Sequence, residues 1–509
     1  MKIILFFIVS TQALFAGVGT DLLIKDQKSS TIQKNMIIQN NVLKLDDVYL
    51  VQAYGSLRAL NIKDPKILDF FNLIFSKKYK LAFGQVTDLN TKNMAQAKLV
   101  NSSKLYLLWK LGLKQSFFNT WLKAATNENF LNTELGVALD QIISKNASQW
   151  IIDSALYVSE TQKKQLKLLE LENSNFNYSI QAYIHLRTRK KALNWIGKLL
   201  PNDPLRTMLA RTVIIDMAIK NELSSAAKIL KEVYEPVILA QTDIERISGY
   251  YLFVARLLYQ AKAYDAANEY YRLIPHESKK FLQARTESLW TSMRIGDYST
   301  ILGELKSLEQ SMFNDRFLPE VYLVSSMANL QLCQFEKVSS IFTKFIKVNK
   351  VFAKEIATNL SSSKPKRLGE DDFFINQLLK SQTQAKQERK SLVKLLGETQ
   401  NEFLKIFDSQ TLERDVKLVS EIKRTWKNRE KILTATLRKM RFVKVEYLST
   451  MRRMKHKLLS HKFNDSVSTL TSSIDKSDKL EFKYDGVLFG DELFHYRSRI
   501  QNLCLQAGK

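Results

Sequence analysis

A chain of 509 residues with a formal net charge of +26 is long enough for several domains or one extended repeat array, yet it carries only 15 glycines and 7 prolines. Globular chains average about 7% glycine and about 5% proline, and sheet-rich or loop-rich folds use both at turns. The composition therefore excludes a turn-rich β-fold and points to an all-α protein with short connections.

The chain opens "MKIILFFIVSTQALFAGVGT": one lysine, an apolar run from Ile3 to Val9, then small and polar residues. This is the layout of a secretory signal peptide, residues 1–16, with cleavage after Ala13 or Ala16. A retained anchor would need about 18 unbroken apolar residues, and this run stops at Ser10. The expectation is an exported protein, periplasmic, envelope-associated or secreted. Residues 17–99 then read as an N-terminal helical capping region. Within it, Asp46 to Lys78 shows two amphipathic runs separated by "NIKDP", with Asp64 placed to cap a helix that has Pro65 at its first position.

From residue 100 to 360 the pattern repeats. "YLFVARLLYQAKAYDAANEYYRLI" (251–274) and "YLVSSMANLQLCQFEKVSSIFTKFI" (322–346) share a frame: Tyr251 and Tyr322, then Tyr264 and Phe335, Ala267 and Val338, Tyr271 and Phe342. Gly296, Tyr298, Ile301, Leu305 and Leu308 fit the same frame between them. Weaker copies carry Ala192, Ile196 and Leu199; Ala226, Leu230 and Val233; and Gly112, Phe117, Trp121 and Ala124. Tyr264, Tyr298 and Phe335 are 34 and 37 residues apart.

On these residues the segment resembles the tetratricopeptide repeat (TPR) family of the exported envelope type, whose unit is a helix-turn-helix of about 34 residues. The resemblance implies an α-solenoid in which each hairpin buries its spare apolar face against the next. It departs from the family where Leu289 stands in the place that Ala255 holds one repeat earlier, and in lacking most closing prolines. It also implies a concave, partner-binding wall formed by Arg256, Tyr259, Gln260, Thr286, Trp290, Arg294, Leu323, Met327 and Gln331. Aromatic, Met and Arg side chains are enriched where proteins bind proteins. The bland alternative is that Trp290 and Met327 only fill a tight superhelix.

Residues 361–372, "SSSKPKRLGEDD", read as a linker. Beyond it, 373–463 reads as basic coiled-coil helices: Leu412, Val419, Trp426, Leu433, Met440, Tyr447 and Met454 recur every seven residues, with Val416, Leu437, Met451 and Leu458 interleaved. Lys423, Glu430 and Lys444 interrupt the seam, and a fold-back is expected at "DSQT" (408–411). The arm either closes on itself or pairs with a second copy. Between Lys431 and Lys462 ten Lys or Arg face one acid, Glu446. That density fits either a solvated face or a polyanion-binding one, lipopolysaccharide or cell-wall polymer, through Arg438, Lys439, Arg441, Arg452, Arg453, Lys455 and Lys457. Nucleic acid is the least favoured polyanion for an exported chain. Residues 464–478 are a Ser/Thr-rich linker. Residues 479–509 form an aromatic C-terminal tail, with an Asp485-Gly486 turn and Asp491 as a helix cap.

Catalytic and metal motifs are missing. The five histidines form no H-E-x-x-H, no G-x-S-x-G occurs, and the one G-x-G, Gly17-Val18-Gly19, falls at the signal peptide. Glu370, Asp371 and Asp372 are acids in a linker. Cys333 and Cys504, the only cysteines, permit one disulfide, but a helical core of this size does not need one and packed thiols are expected. The reading is a non-enzymatic scaffold or adaptor, with no cofactor, metal or small-molecule substrate, that holds a protein partner in its groove. Binding of an envelope polyanion by the basic arm is the alternative.

Overall fold

The computed structural model describes residues 45–461 apart from 87–88, 90, 92–93, 128–132, 145–146, 169–174, 187–188, 201–202, 314, 370–371 and 398–401, together with 480–482, 496–498, 500 and 502. The expected signal peptide, the expected linker at 464–478 and most of the tail, including Asp485, Gly486 and Asp491, lie outside the described residues. Those described form an all-α fold. In chain order the helices are α1 (Leu45–Ala59), α2 (Pro65–Phe75), α3 (Tyr79–Gln85), α4 (Met94–Lys110), α5 (Lys114–Asn127), α6 (Glu134–Ser144) and α7 (Ala147–Asp153). They continue with α8 (Glu160–Leu168), α9 (Asn175–Ile184), α10 (Arg189–Ile196), α11 (Pro204–Ile219), α12 (Leu223–Ile229), a π turn (Leu230–Tyr234) and α13 (Glu235–Leu239). Then come α14 (Ile244–Gln260), α15 (Tyr264–Arg272), α16 (Phe281–Ile295), α17 (Tyr298–Leu308), α18 (Pro319–Gln331), α19 (Phe335–Ser361), α20 (Phe373–Leu396) and α21 (Glu402–His461). A three-residue antiparallel pair, β1 (Leu480–Phe482) with β2 (Tyr496–Ser498), is the β-structure among the described residues.

Two compact units emerge: described residues within 1–145, 167–174 and 387–405 make the first, and those within 146–166, 175–386 and 406–509 the second. In the first, Asp64 Oδ1 accepts the Lys66 N–H at 3.0 Å and starts α2 at Pro65, as the sequence requires. Its core stacks Tyr49 on Tyr106 at 4.3 Å and buries Phe70, Phe71, Phe117, Phe118 and Trp121. The Glu388 carboxylate accepts the backbone N–H groups of Gln115 (3.0 Å) and Ser116 (2.8 Å). These belong to the open N-terminal turn of α5, where unpaired donors and the helix dipole favour an anion.

In the second unit the three strongest repeats each form a helix pair: α14 with α15, α16 with α17, α18 with α19. The second helix of each pair also packs on the first helix of the next. Ala255, Ala267 and Leu289 are wholly buried and Tyr271 nearly so, which makes the frame residues core. The turns within the pairs share a left-handed residue, and two of them share one bonding pattern. Lys262, Gly296 and Cys333 have φ of 63°, 83° and 57°. At Lys262, the Ala263 N–H reaches back to Leu258 O (2.9 Å) and the Lys262 N–H to Tyr259 O (3.0 Å); Gln334 to Asn329 and Cys333 to Leu330 repeat this. This is the Schellman closure, which needs a left-handed residue just past the helix. The same pair of bonds closes α4 at Gly112 and α11 at Asn221. Cys333 is disulfide-bonded, contrary to the expectation of packed thiols; Cys504 lies outside the described residues.

The long segment differs from its expectation in three ways. First, α21 runs unbroken through 408–411, where a fold-back was expected; the break comes earlier, after Gly397 at φ 77°. Its 60 residues span roughly 90 Å at 1.5 Å per residue. Second, burial does not follow the heptad. Positions 407, 410, 414, 418, 422, 426, 429, 433, 437 and 440 are buried or half-buried, a stride of about 3.7 that fits a straight helix better than a 3.5-residue supercoil. Leu412 and Val416, seam positions in the sequence, are 71% and 63% exposed in consequence. Third, this part of α21 packs on the helices that precede it, where an arm closed on itself or paired with a second copy was expected. Leu418, Ile422 and Trp426 pack with Ile356 and Leu360 of α19 and Ile375 and Leu379 of α20, and Met440 is buried against Leu323 and Phe345. The polar stretch 361–372 is held in place too: the Trp426 indole N–H donates to Lys366 O at 2.8 Å, and the Lys366 N–H donates to the Asn359 side chain at 2.7 Å.

Trp426 is fully buried, so Trp426→Ala is expected to cost about 3–5 kcal/mol in urea denaturation, with Trp426→Phe costing less. Gly296 has open space where a Cβ would stand, so Gly296→Ala should lose only the left-handed penalty, about 1 kcal/mol, and Lys262→Gly should recover a similar amount; thermal melts of the two variants check this.

Candidate functional site

Four of the nine residues assigned to the concave wall meet in one cleft of about 350 Å³. Helix α14 supplies Arg256 and Tyr259, and α16 supplies Trp290 and Arg294, each pair three or four residues apart and so on one helix face. Glu287 of α16, Tyr271 of α15, Glu320 of the first turn of α18 and Lys439 of α21 complete the lining. Arg256 grips Glu287 with two nitrogens, Nε to Oε2 at 2.7 Å and Nη2 to Oε1 at 2.5 Å. This fork-on-carboxylate geometry fixes both side chains. Burial, reinforced by the charge of Glu287, raises the Tyr271 pKa, so its hydroxyl keeps its proton and donates to Glu287 at 3.3 Å. Arg294 is exposed and donates from Nε to the Tyr259 hydroxyl at 3.4 Å. Three cations and two carboxylates line the cleft, and one of those cations is already matched by Glu287.

The other five assigned residues lie elsewhere. Thr286 is buried and donates to Leu282 O of its own helix at 2.8 Å. Gln260 donates to the Ala218 carbonyl. Leu323 and Met327 pack with Met440, Leu433 and Leu437, so α21 covers these two residues. Gln331 is exposed at the end of α18. The residues assigned to polyanion binding divide as well. Lys439 turns into the cleft with its Nζ 5.8 Å from the centre of the Trp290 ring, a cation–π distance. Arg438, Arg441, Arg452 and Arg453 are exposed. Lys455 and Lys457 fall on α21, their side chains outside the description.

No family model, curated protein or solved structure matches this chain.

Sequence reasoning missed Glu287, Glu320 and Tyr271 as lining. Glu287 had a usable signal, standing three residues before Trp290 on the same face of α16. Glu320 had none, because its place depends on how α18 sits against α16. Among the described residues no group of His, Cys, Asp and Glu could hold a metal ion.

Away from the cleft, one buried carboxylate is strongly shifted. Glu304 of α17 is 3% exposed, 3.8 Å from Arg285 of α16 and hydrogen-bonded by the Ser288 hydroxyl at 3.2 Å. Burial raises its pKa to about 7, against the opposing pull of Arg285. The unfolded chain ionises this carboxyl near 4.5 while the folded protein holds the proton to about 7. Its contribution is therefore complete below about pH 4.5 and declines as pH rises through 7. Wild-type stability should fall between pH 5 and pH 7.5 relative to Glu304→Gln, in paired denaturation curves at the two pH values.

Proposed function

We propose that the protein is a non-enzymatic helical-repeat scaffold of the TPR kind that holds a segment of a partner protein in the Arg256–Trp290–Arg294 cleft. One observation carries the reading: wall residues chosen from a repeat frame, on two separate first helices, converge on a single open cleft. The helix pairs, each turned by a left-handed residue and packed in sequence order, support the solenoid part of it. The chemistry favours a partner segment with an acidic side chain for Arg294 and Lys439 and a flat or apolar one for Trp290 and Tyr259. The mechanism is complementarity without turnover. Because α21 already covers Leu323 and Met327, the partner occupies the part of the groove that α21 leaves open. Export follows from the signal-peptide layout of the first 16 residues, and no described helix is long and apolar enough to cross a membrane.

The test uses a photo-crosslinking residue in place of Arg294, in full-length protein returned to its native cells. It is expected to trap a protein partner that the same residue at exposed Lys306 of α17 does not. Adding Trp290→Ala should reduce the crosslink at least tenfold with helix content unchanged. Equal trapping from both positions, or trapping indifferent to Trp290, would overturn the proposal. Arg256 is a poor probe, since reversing its charge would set a second acid against Glu287.

A further inference from the structure

Between Leu437 and Arg453, α21 has two faces. The inner one, Leu437, Met440 and Val443, packs on the α16, α18 and α19 side chains Trp290, Leu323, Met327, Phe342 and Phe345. Lys439 and Lys444 serve this side, lying over the Trp290 and Phe342 rings. The outer face is built differently. Positions 438, 442, 445, 449 and 452 follow in steps of four and three, with 441 beside them, a single helical stripe. On it Phe442 and Val445 stand 70% and 65% exposed, with Leu448 at its shoulder 46% exposed. Arg438 and Arg441 flank these apolar groups at one end, and Arg452 and Arg453 at the other, over roughly 22 Å of helix. The one acid in the span, Glu446, is taken by Arg453 at 3.1 Å.

Leu412 and Val416 are as exposed on the same helix, but Phe442, Val445 and Leu448 are set apart by lying together between arginines at both ends. A second copy of the same face would set arginines against arginines. A soluble polyanion would satisfy the guanidinium groups but leave Phe442 and Val445 wet. An anionic lipid surface meets both demands, with phosphates for the arginines and the acyl boundary for Phe442, Val445 and Leu448. The geometry points to this stripe as a docking face for an anionic membrane surface, on which α21 lies flat.

Flotation of the full-length protein with vesicles tests it. Binding is expected to phosphatidylcholine vesicles containing 40% phosphatidylglycerol, to weaken at least tenfold between 50 and 500 mM salt, and to be absent from pure phosphatidylcholine. Two variants confined to exposed positions, Phe442→Ser with Val445→Ser, and Arg438→Ser with Arg441→Ser and Arg452→Ser, should each weaken binding at least tenfold while circular dichroism and melting stay unchanged. Absence of vesicle binding by the wild type, or binding that survives both variants, overturns the inference. So does binding of heparin or polyphosphate that needs the arginines, in a protein whose vesicle binding ignores Phe442→Ser with Val445→Ser; that result would assign the face to a soluble polyanion. Self-association abolished by Phe442→Ser would assign it to a second copy and overturn it equally.

Discussion

Two short helices folded into a pair bury one face against each other and leave another apolar face open, and the second unit is organised around covering that remainder. Each of the pairs from α14 to α19 covers part of it with the next pair in sequence. What is left over at α18 and α19, around Leu323 and Phe345, is covered by α21 through Met440, Leu433 and Leu437. Burying large side chains such as Trp426 and Met440 completely is worth about 1.5–3 kcal/mol each, enough to hold a long polycationic helix that charge repulsion would push away. The position of the candidate cleft follows from the same constraint, because it lies beside the residues that α21 covers and takes Lys439 from that helix.

The sequence revealed most where a local rule decides. The Asp64–Pro65 start of α2 needs only two adjacent residues. The pairs from α14 to α19 follow from a frame that places Tyr271, Ala267 and Ala255 on inward faces. The left-handed closures were half legible: Gly296 signals one, whereas Lys262 and Cys333 adopt the same φ without glycine and give no sign in composition. The heptad over 412–454 was legible as apolar recurrence but not as packing. Seven-residue spacing and a stride near 3.7 select almost the same residues over two or three turns, and only the neighbours decide which face is inward; hence Leu412 and Val416 emerge exposed.

The groove shows the same boundary. Arg256, Tyr259, Trp290 and Arg294 were recoverable because one helix face on each of two repeats defines them. Leu323 and Met327 had identical credentials, yet their neighbour proved to be the chain's own α21. An apolar residue on an exposed helix face does not reveal whether its partner lies in the same polypeptide, and the link between residues 323 and 440 is too distant for periodicity to register. The Trp426 contact to the Lys366 carbonyl is another such case, turning a stretch with linker composition into a fixed piece of the core.

Covering Phe345 with Met440 also sets an order of events. The α14–α19 pairs are made from contacts close in sequence, whereas the residues that cover Leu323, Met327 and Phe345 are synthesised about 95 residues later, roughly 5–20 s at ordinary synthesis rates. Until those residues are in place, the apolar side chains of Leu323, Met327 and Phe345 lack the cover that α21 gives them. A ribosome-side or export chaperone that recognises apolar surface has its natural target there, and a truncation that ends the chain before residue 440 leaves that target exposed for good.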